Sequence, residues 1–235
     1  MMKKCHDFPY ELNLQEAVLL QNKLKELVTF DFPYQKEEIQ FVAGVDVSYD
    51  QEGFSFGTVV VLEIPSLKIV EVVCEKHRPS FPYIPGFLSF REGPVIEKAF
   101  AKLSVTPQIF FFDGQGIAHP RGVGLATHIG VTFGIVSIGV AKKPLVGTFS
   151  LPGNERGDFS LLEYQGQPVG MVLRTKLRVK PVFVSPGNKI NLRDLREWTL
   201  RVTGKYRLPE PTRLAHIFSE KGKRGEYFNG GEGSS

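Results

Sequence analysis

Two apolar runs, Gln108–Phe112 and Ile135–Val140, flank a helix-patterned stretch, Gly124–Phe133. A strand with no polar alternation is buried on both faces. Two such strands joined through a helix pair in parallel, within a sheet covered by helices on both sides. This constrains the chain more than any other feature. Upstream lie three β-rich runs, Phe41–Tyr49, Ser55–Ile64 and Leu67–Glu75, separated by short turn segments that predict an antiparallel meander. Helical spacing marks Leu14–Val28, opened by an Asn13…Glu16 capping box. It also marks Leu88–Leu103 (with Pro94 at an early turn or a kink), Leu192–Val202 and Pro211–Glu220. A hairpin is expected over Leu162–Thr175, then a short strand Pro181–Ser185 ended by Pro186-Gly187. The expected class is α/β: a central mixed sheet, a three-strand antiparallel meander plus parallel strands, flanked by helices. Residues 8–224 are expected to form one domain, with a disordered tail over 225–235.

Charge is distributed unevenly. The whole chain carries +4, yet Met171–Arg224 carries +10 and the remainder −6. This asymmetry suits a protein that binds a polyanion and gathers cations nearby, although a solvated charged face gives the same count. Two cysteines, Cys5 and Cys74, make no disulfide framework or paired metal spacing, so they are read as reduced cytosolic thiols. No secretory leader or membrane-spanning run is apparent, and the expected location is cytoplasmic.

Carboxylates carry the chemistry. Asp46 interrupts the apolar run Phe41–Tyr49. A charge there is costly unless it is paired or holds a cation. Its alternative is the solvent face of an edge strand, but the first strand of a meander beside a parallel unit should be central. Asp113 ends the next buried run, ahead of Gly114-Gln115-Gly116 and His119-Pro120-Arg121. Strand carboxyl ends are where α/β sheets place ligands, whereas a plain Asp-Gly turn is the simpler reading. Glu92 is a third candidate, or half of a surface ion pair with Arg91. Converging carboxylates form a hard oxygen site for Mg²⁺ or Mn²⁺, able to support phosphodiester hydrolysis. Lys142 follows the second buried strand, either facing the same crevice or solvated. His216 shares a helix with Leu214 and Phe218, which fits a core-edge histidine as well as a functional one. The loop Phe81-Pro82-Tyr83-Ile84-Pro85-Gly86 is stiffened by two prolines around apolar side chains, the form of a tip that wedges between bases, or of a loop tucked into the core.

Several segments together resemble the endonuclease V family. They are Val42-Ala-Gly-Val-Asp-Val-Ser48, Phe81-Pro-Tyr-Ile-Pro-Gly86, Phe90-Arg-Glu-Gly-Pro94, Phe112-Asp-Gly-Gln-Gly-Ile-Ala-His-Pro-Arg121, Ile138-Gly-Val-Ala-Lys142, Phe183-Val-Ser-Pro-Gly187 and Pro209-Glu-Pro-Thr-Arg-Leu-Ala-His216. The likeness is to the bacterial type. It implies a ribonuclease H-like fold, to which the strand and helix order is also analogous. It implies a DNA repair endonuclease that recognises deoxyinosine and cuts the second phosphodiester bond 3′ to it, leaving 3′-hydroxyl and 5′-phosphate. Mg²⁺ is the implied cofactor, with Mn²⁺ able to substitute. By the same resemblance Asp46 and Asp113 match metal ligands, Glu92 and His216 act around the metal, and Lys142 matches the catalytic lysine. Pro82, Tyr83, Ile84 and Pro85 match a strand-separating wedge. Gly86, Leu88, Gly114, Gly116 and Leu145 match the lesion pocket, and His119 is a further candidate. Lys143-Pro144 departs from the family's usual small residue and charge. The implied partner is DNA with deoxyinosine or other deaminated bases, acted on by a monomer away from membranes. Inosine-containing RNA remains an alternative substrate, and a lesion-binding module without turnover an alternative function.

Overall fold

A computed structural model describes residues 2–226. Most of the expected tail, 225–235, lies outside the described residues. One eight-stranded sheet runs through the molecule: β1 (Phe41–Tyr49), β2 (Ser55–Glu63), β3 (Ile69–His77), β4 (Ile109–Asp113), β5 (Val136–Ala141), β6 (Phe159–Tyr164), β7 (Gln167–Leu173) and β8 (Val182–Asn188), in the spatial order β3-β2-β1-β4-β5-β8-β7-β6. β1 to β3 form the antiparallel meander, and β4 lies parallel to both β1 and β5. β8 then returns antiparallel to β5, and β7 and β6 complete the far edge. Asp46 is therefore on a central strand, as the sequence suggests. Among the described residues no helix is long and apolar enough to cross a membrane.

The described residues form the α-helices α1 (Leu14–Glu26), α2 (Leu88–Lys102), α3 (Leu125–Phe133), α4 (Leu192–Arg201) and α5 (Glu210–Lys223), of which α2 to α5 cover the sheet. The pleat sorts the core. Val42, Val60, Leu62, Ile109, Phe111, Val136, Ile138 and Val140 pack with Leu195, Trp198 and Ala215 of α4 and α5. Ala43, Val45, Val59, Val61, Phe110 and Phe112 pack with Ile96, Ala99, Phe100, Leu125, Ala126 and Ile129 of α2 and α3. Because side chains alternate with period two, Asp46, Asp113 and Lys142 all fall on the α4–α5 side. α1 packs outside α2 and α3 through Ala17, Leu20 and Leu24 against Phe81, Phe87, Phe90 and Val131. Its Asn13–Glu16 capping box forms as expected.

Several boundaries differ from the sequence reading, and three of them have a visible cause. Pro186-Gly187 does not end β8, which continues to Asn188 through a register shift opposite Ser137 and Ile138. A bulge tolerates the donor that proline lacks. The hairpin begins at Phe159 rather than Leu162, because its edge strand keeps Phe159 and Leu161 exposed and so hides the alternation. β3 starts at Ile69 because Leu67 sits in the preceding turn with φ 55°.

Gly44 sets the distance between β1 and α5. A Cβ there would stand 1.9 Å from the Pro211 carbonyl oxygen. Backbone cannot yield as a flexible side chain does, so Gly44→Ala is expected to cost about 3 kcal/mol in a urea melt. An unchanged midpoint would contradict this close approach.

Candidate active site

Three sheet strands and two helices converge at one end of the sheet. In the parallel register Val45 opposes Phe112 and Asp113 opposes Val140, so Asp46 and Asp113 are neighbours across β1 and β4. Asp46 is buried, and Asp113 is partly so. α5 lies over β1 and brings His216 Nδ1 to 3.2 Å from Asp46 Oδ2. The Ser219 hydroxyl, one turn along, donates to the same oxygen. Lys142, just past β5, donates from Nζ to Asp113 Oδ2 at 2.9 Å. Asp46, Asp113 and His216 each offer one ligand atom, and these three atoms lie within 4.8 Å of one another.

Glu92 approaches from the α2 side. It is buried and accepts a hydrogen bond from the Tyr49 hydroxyl at 3.3 Å. Arg91 turns elsewhere, donating to the Phe81 carbonyl and stacking over the Tyr49 ring. Glu92 is thus no surface ion pair, but it is also outside the compact donor set. The sequence reading took Glu92 as a third carboxylate at the metal and His216 as a residue around it; the compact donor set is Asp46, Asp113 and His216, with Glu92 beside it.

The electrostatics of the cluster favour a cation. Burial, then repulsion from Asp46 and Asp113, hold the Glu92 carboxyl well above its ordinary value. Burial and Asp46 also raise Asp113, against the opposing pull of Lys142. The hydrogen bond to Asp46 raises His216. Three neighbouring carboxylates, Asp46, Asp113 and Glu92, are opposed by Lys142 and by His216, and a divalent cation would relieve both the desolvation and the remaining repulsion. The hard carboxylate oxygens suit Mg²⁺ or Mn²⁺, while the imidazole is also open to softer transition metals.

Beside the carboxylates is a pocket of about 140 Å³, lined by residues that include Tyr83, Ile84, Pro85, Gly86, Leu88, Ser89, Gln115, His119 and Leu145. Gly86, Leu88 and Leu145 all line it. Gly114 and Gly116 do not line it. The Gly114 amide donates to the Val140 carbonyl at 3.1 Å, and the Gly116 amide to Ser185 Oγ at 2.8 Å. A Cβ on Gly116 would stand 2.0 Å from the Pro186 carbonyl oxygen, so this glycine serves packing against β8.

The proline loop forms one wall. Tyr83 is 71% exposed, while Phe81 and Phe87 at its two ends are buried against Phe90. The tip is therefore presented, not tucked into the core. Gly86 takes φ 81°, a left-handed conformation that favours glycine. Its carbonyl accepts three donors: Gln21 Nε2 at 2.9 Å, His119 Nε2 at 3.0 Å and an Arg121 guanidinium nitrogen at 2.7 Å. The Arg121 amide donates to His119 Nδ1, which leaves the proton on Nε2. Burial pushes His119 down to about 4, so the ring stays neutral. His119 thus holds the loop in place. Gln21 was missed in the sequence, where a polar residue on the apolar face of α1 was the available signal; it is fully buried.

The sheet order is that of the ribonuclease H-like fold, and a carboxylate centre at the ends of its adjacent central strands is the layout of a nuclease. Comparison with known proteins narrows the class. The Endonuclease V family model matches residues 22–217. The endonuclease V of Kosmotoga olearia is 46% identical over 223 residues, covering 94% of this chain and 96% of its own. The crystal structure of Bacillus subtilis endonuclease V superposes with a TM-score of 0.90 at 32% identity, covering 95% of this chain and 98% of that one. Ciona intestinalis endonuclease V, solved with a 23mer DNA containing an inosine followed by a ribo-adenosine, gives 0.79 at 25% identity, covering 90% and 97%. The chain belongs to the endonuclease V family and is a nuclease.

Proposed function

We propose that this chain is a metal-dependent DNA repair endonuclease. It recognises deoxyinosine and hydrolyses the second phosphodiester bond 3′ to it, leaving 3′-hydroxyl and 5′-phosphate ends. The observation that carries the proposal is the Asp46–Asp113–His216 cluster, with Lys142 on Asp113, next to a pocket walled by an exposed, stiff tip. The inosine-containing DNA in the Ciona intestinalis complex supports the substrate class.

Asp46, Asp113 and His216 would hold Mg²⁺, or Mn²⁺ in its place, with Glu92 at the margin. The ion would supply a Lewis acid that acidifies a water and offsets charge on the reacting phosphate. Lys142 contributes a fixed positive charge beside Asp113, placed for the negative charge that grows as the bond breaks. A stacked base cannot be inspected, and hypoxanthine pairs weakly, so flipping it costs less than flipping adenine. Tyr83 at the tip fills the gap that the flipped base leaves. Gly86, Leu88 and Leu145 enclose that base, and the basic C-terminal segment holds phosphates.

Tyr83→Ala is expected to weaken binding to a deoxyinosine duplex about tenfold, in keeping with base–aromatic stacking of about 1–3 kcal/mol. Binding to the undamaged duplex should change less. Equal losses in a filter-binding titration would remove the wedge from the account. The inosine-plus-ribonucleotide ligand of the Ciona structure also keeps RNA in view. Cleavage of matched deoxyinosine DNA and inosine RNA, side by side, decides between them: the DNA is expected to be cut faster, and exclusive cutting of the RNA would overturn the substrate assignment.

A further inference from the structure

His128 lies at the centre of α3, with no exposed surface. Tyr10 stacks on its ring at 5.5 Å between centroids, and Phe90 meets it edge-on at 5.0 Å. The ring cannot turn freely in that packing. Its Nδ1 is 2.9 Å from Ser89 Oγ, while its Nε2 has no hydrogen-bond partner among the described residues. Burial holds the imidazole neutral down to about pH 3, so it carries one proton. Ser89 sits in the first turn of α2 and lines the pocket between the proline loop and Leu145.

The position of that one proton decides what Ser89 can do. With the proton on Nε2, an N–H donor would be stranded in a dry, aromatic interior, where orphaned donors are rare. With the proton on Nδ1, the ring donates to Ser89 Oγ and strands only a lone pair. The serine hydroxyl proton then has no acceptor among the described residues and, although Ser89 is only 2% exposed, can turn toward the pocket that it lines. A pocket otherwise lined largely by apolar side chains thus gains a hydroxyl donor whose oxygen is anchored from behind.

We propose that Ser89, oriented by His128, donates a hydrogen bond to the 6-keto oxygen of the purine held in this pocket. Ser89 is then a specificity-determining residue and His128 a positioning residue. The inference rests on the reading of the pocket as the site of the flipped base. A keto group takes the hydroxyl proton directly, whereas adenine's amino group can use only the one lone pair that the His128 bond leaves on Oγ, so the contact favours the deaminated base. A donor aimed at N3 or N7 would give no such discrimination, because both purines carry those acceptors.

The test combines a protein change with a base change. Ser89→Ala should raise KM for a deoxyinosine duplex about tenfold, the size of one hydrogen bond, with kcat held, because the contact exists before and during the reaction. On a duplex with deoxynebularine, a purine without the 6-oxygen, wild type and Ser89→Ala should be equal. His128→Asn, whose amide can still donate to Ser89, should stay close to wild type. His128→Phe should match Ser89→Ala and add nothing to it in the double variant. A thermal melt of each variant separates misfolding from the effect, and Ser89→Ala with the two duplexes carries the test alone if His128→Phe does not fold. Wild-type protein with no preference for deoxyinosine over undamaged duplex would sink the underlying reading of the pocket. A wild-type preference that Ser89→Ala leaves intact, or a loss that persists on deoxynebularine, would overturn the Ser89 assignment alone.

Discussion

Asp113→Ala is expected to lose at least about 10³-fold in cleavage rate while keeping the fold, and Asp46→Ala likewise. Removal of a ligand for a charge-stabilising ion takes away several kcal/mol in the transition state, and each 1.36 kcal/mol is tenfold. The stability half of the expectation follows from the electrostatics. The Asp113 carboxyl is raised by burial and by Asp46, so its ionised form is disfavoured where it stands. Loss of that charge relieves Asp46 and Glu92, both of which are buried. The melting temperature of Asp113→Ala without added metal should therefore equal or exceed that of the wild type. Mg²⁺ or Mn²⁺ should raise the melting temperature of the wild type and leave that of Asp113→Ala in place, because only a ligand of the native state stabilises it. Normal turnover by either alanine variant would remove the metal-site assignment. A collapse of the fold would show that the carboxylates stabilise rather than strain it.

Lys142→Met should lower kcat about 10²–10³-fold with little change in KM, since loss of one preorganised charge at a site of developing negative charge has that size. Methionine keeps length and volume but not the ammonium group. Lys142 is exposed enough that its 2.9 Å contact with Asp113 adds little stability, so the melting temperature should hardly move. A single-turnover assay on lesion DNA reads the chemical step directly. An unchanged rate would make Lys142 a partner of Asp113 in the resting protein and nothing more.

The sequence exposes these residues through the strand pleat. Asp46 and Asp113 follow the even–odd alternation that buries Val42 and Phe111, and Lys142 continues the series set by Ile138 and Val140. Strand position and face together therefore assign three site residues to one crevice. His216 escapes this logic. Its helix can bury or expose it equally well by spacing, and only the close seating of α5 on Gly44 turns it toward Asp46. The far edge of the sheet was legible as a hairpin and a strand but not in its order, because β8 pairs with β5 across about forty-five residues of chain and no local signal encodes that return. Gly114 and Gly116 show a different limit. A glycine pair after a buried strand reads equally as a ligand cradle or as a close approach of backbones, and for Gly116 the second prevails. Gln21, Ser89 and His128 act through partners on distant elements, and no spacing announces such contacts.

The most direct measurement is an end-labelled duplex carrying one deoxyinosine, incubated with Mg²⁺ or with EDTA and read on a sequencing gel. The account predicts a single nick at the second phosphodiester 3′ to the deoxyinosine with Mg²⁺, and none with EDTA or on the undamaged duplex. A nick that persists in EDTA, falls at another bond, or appears equally on undamaged DNA would contradict it.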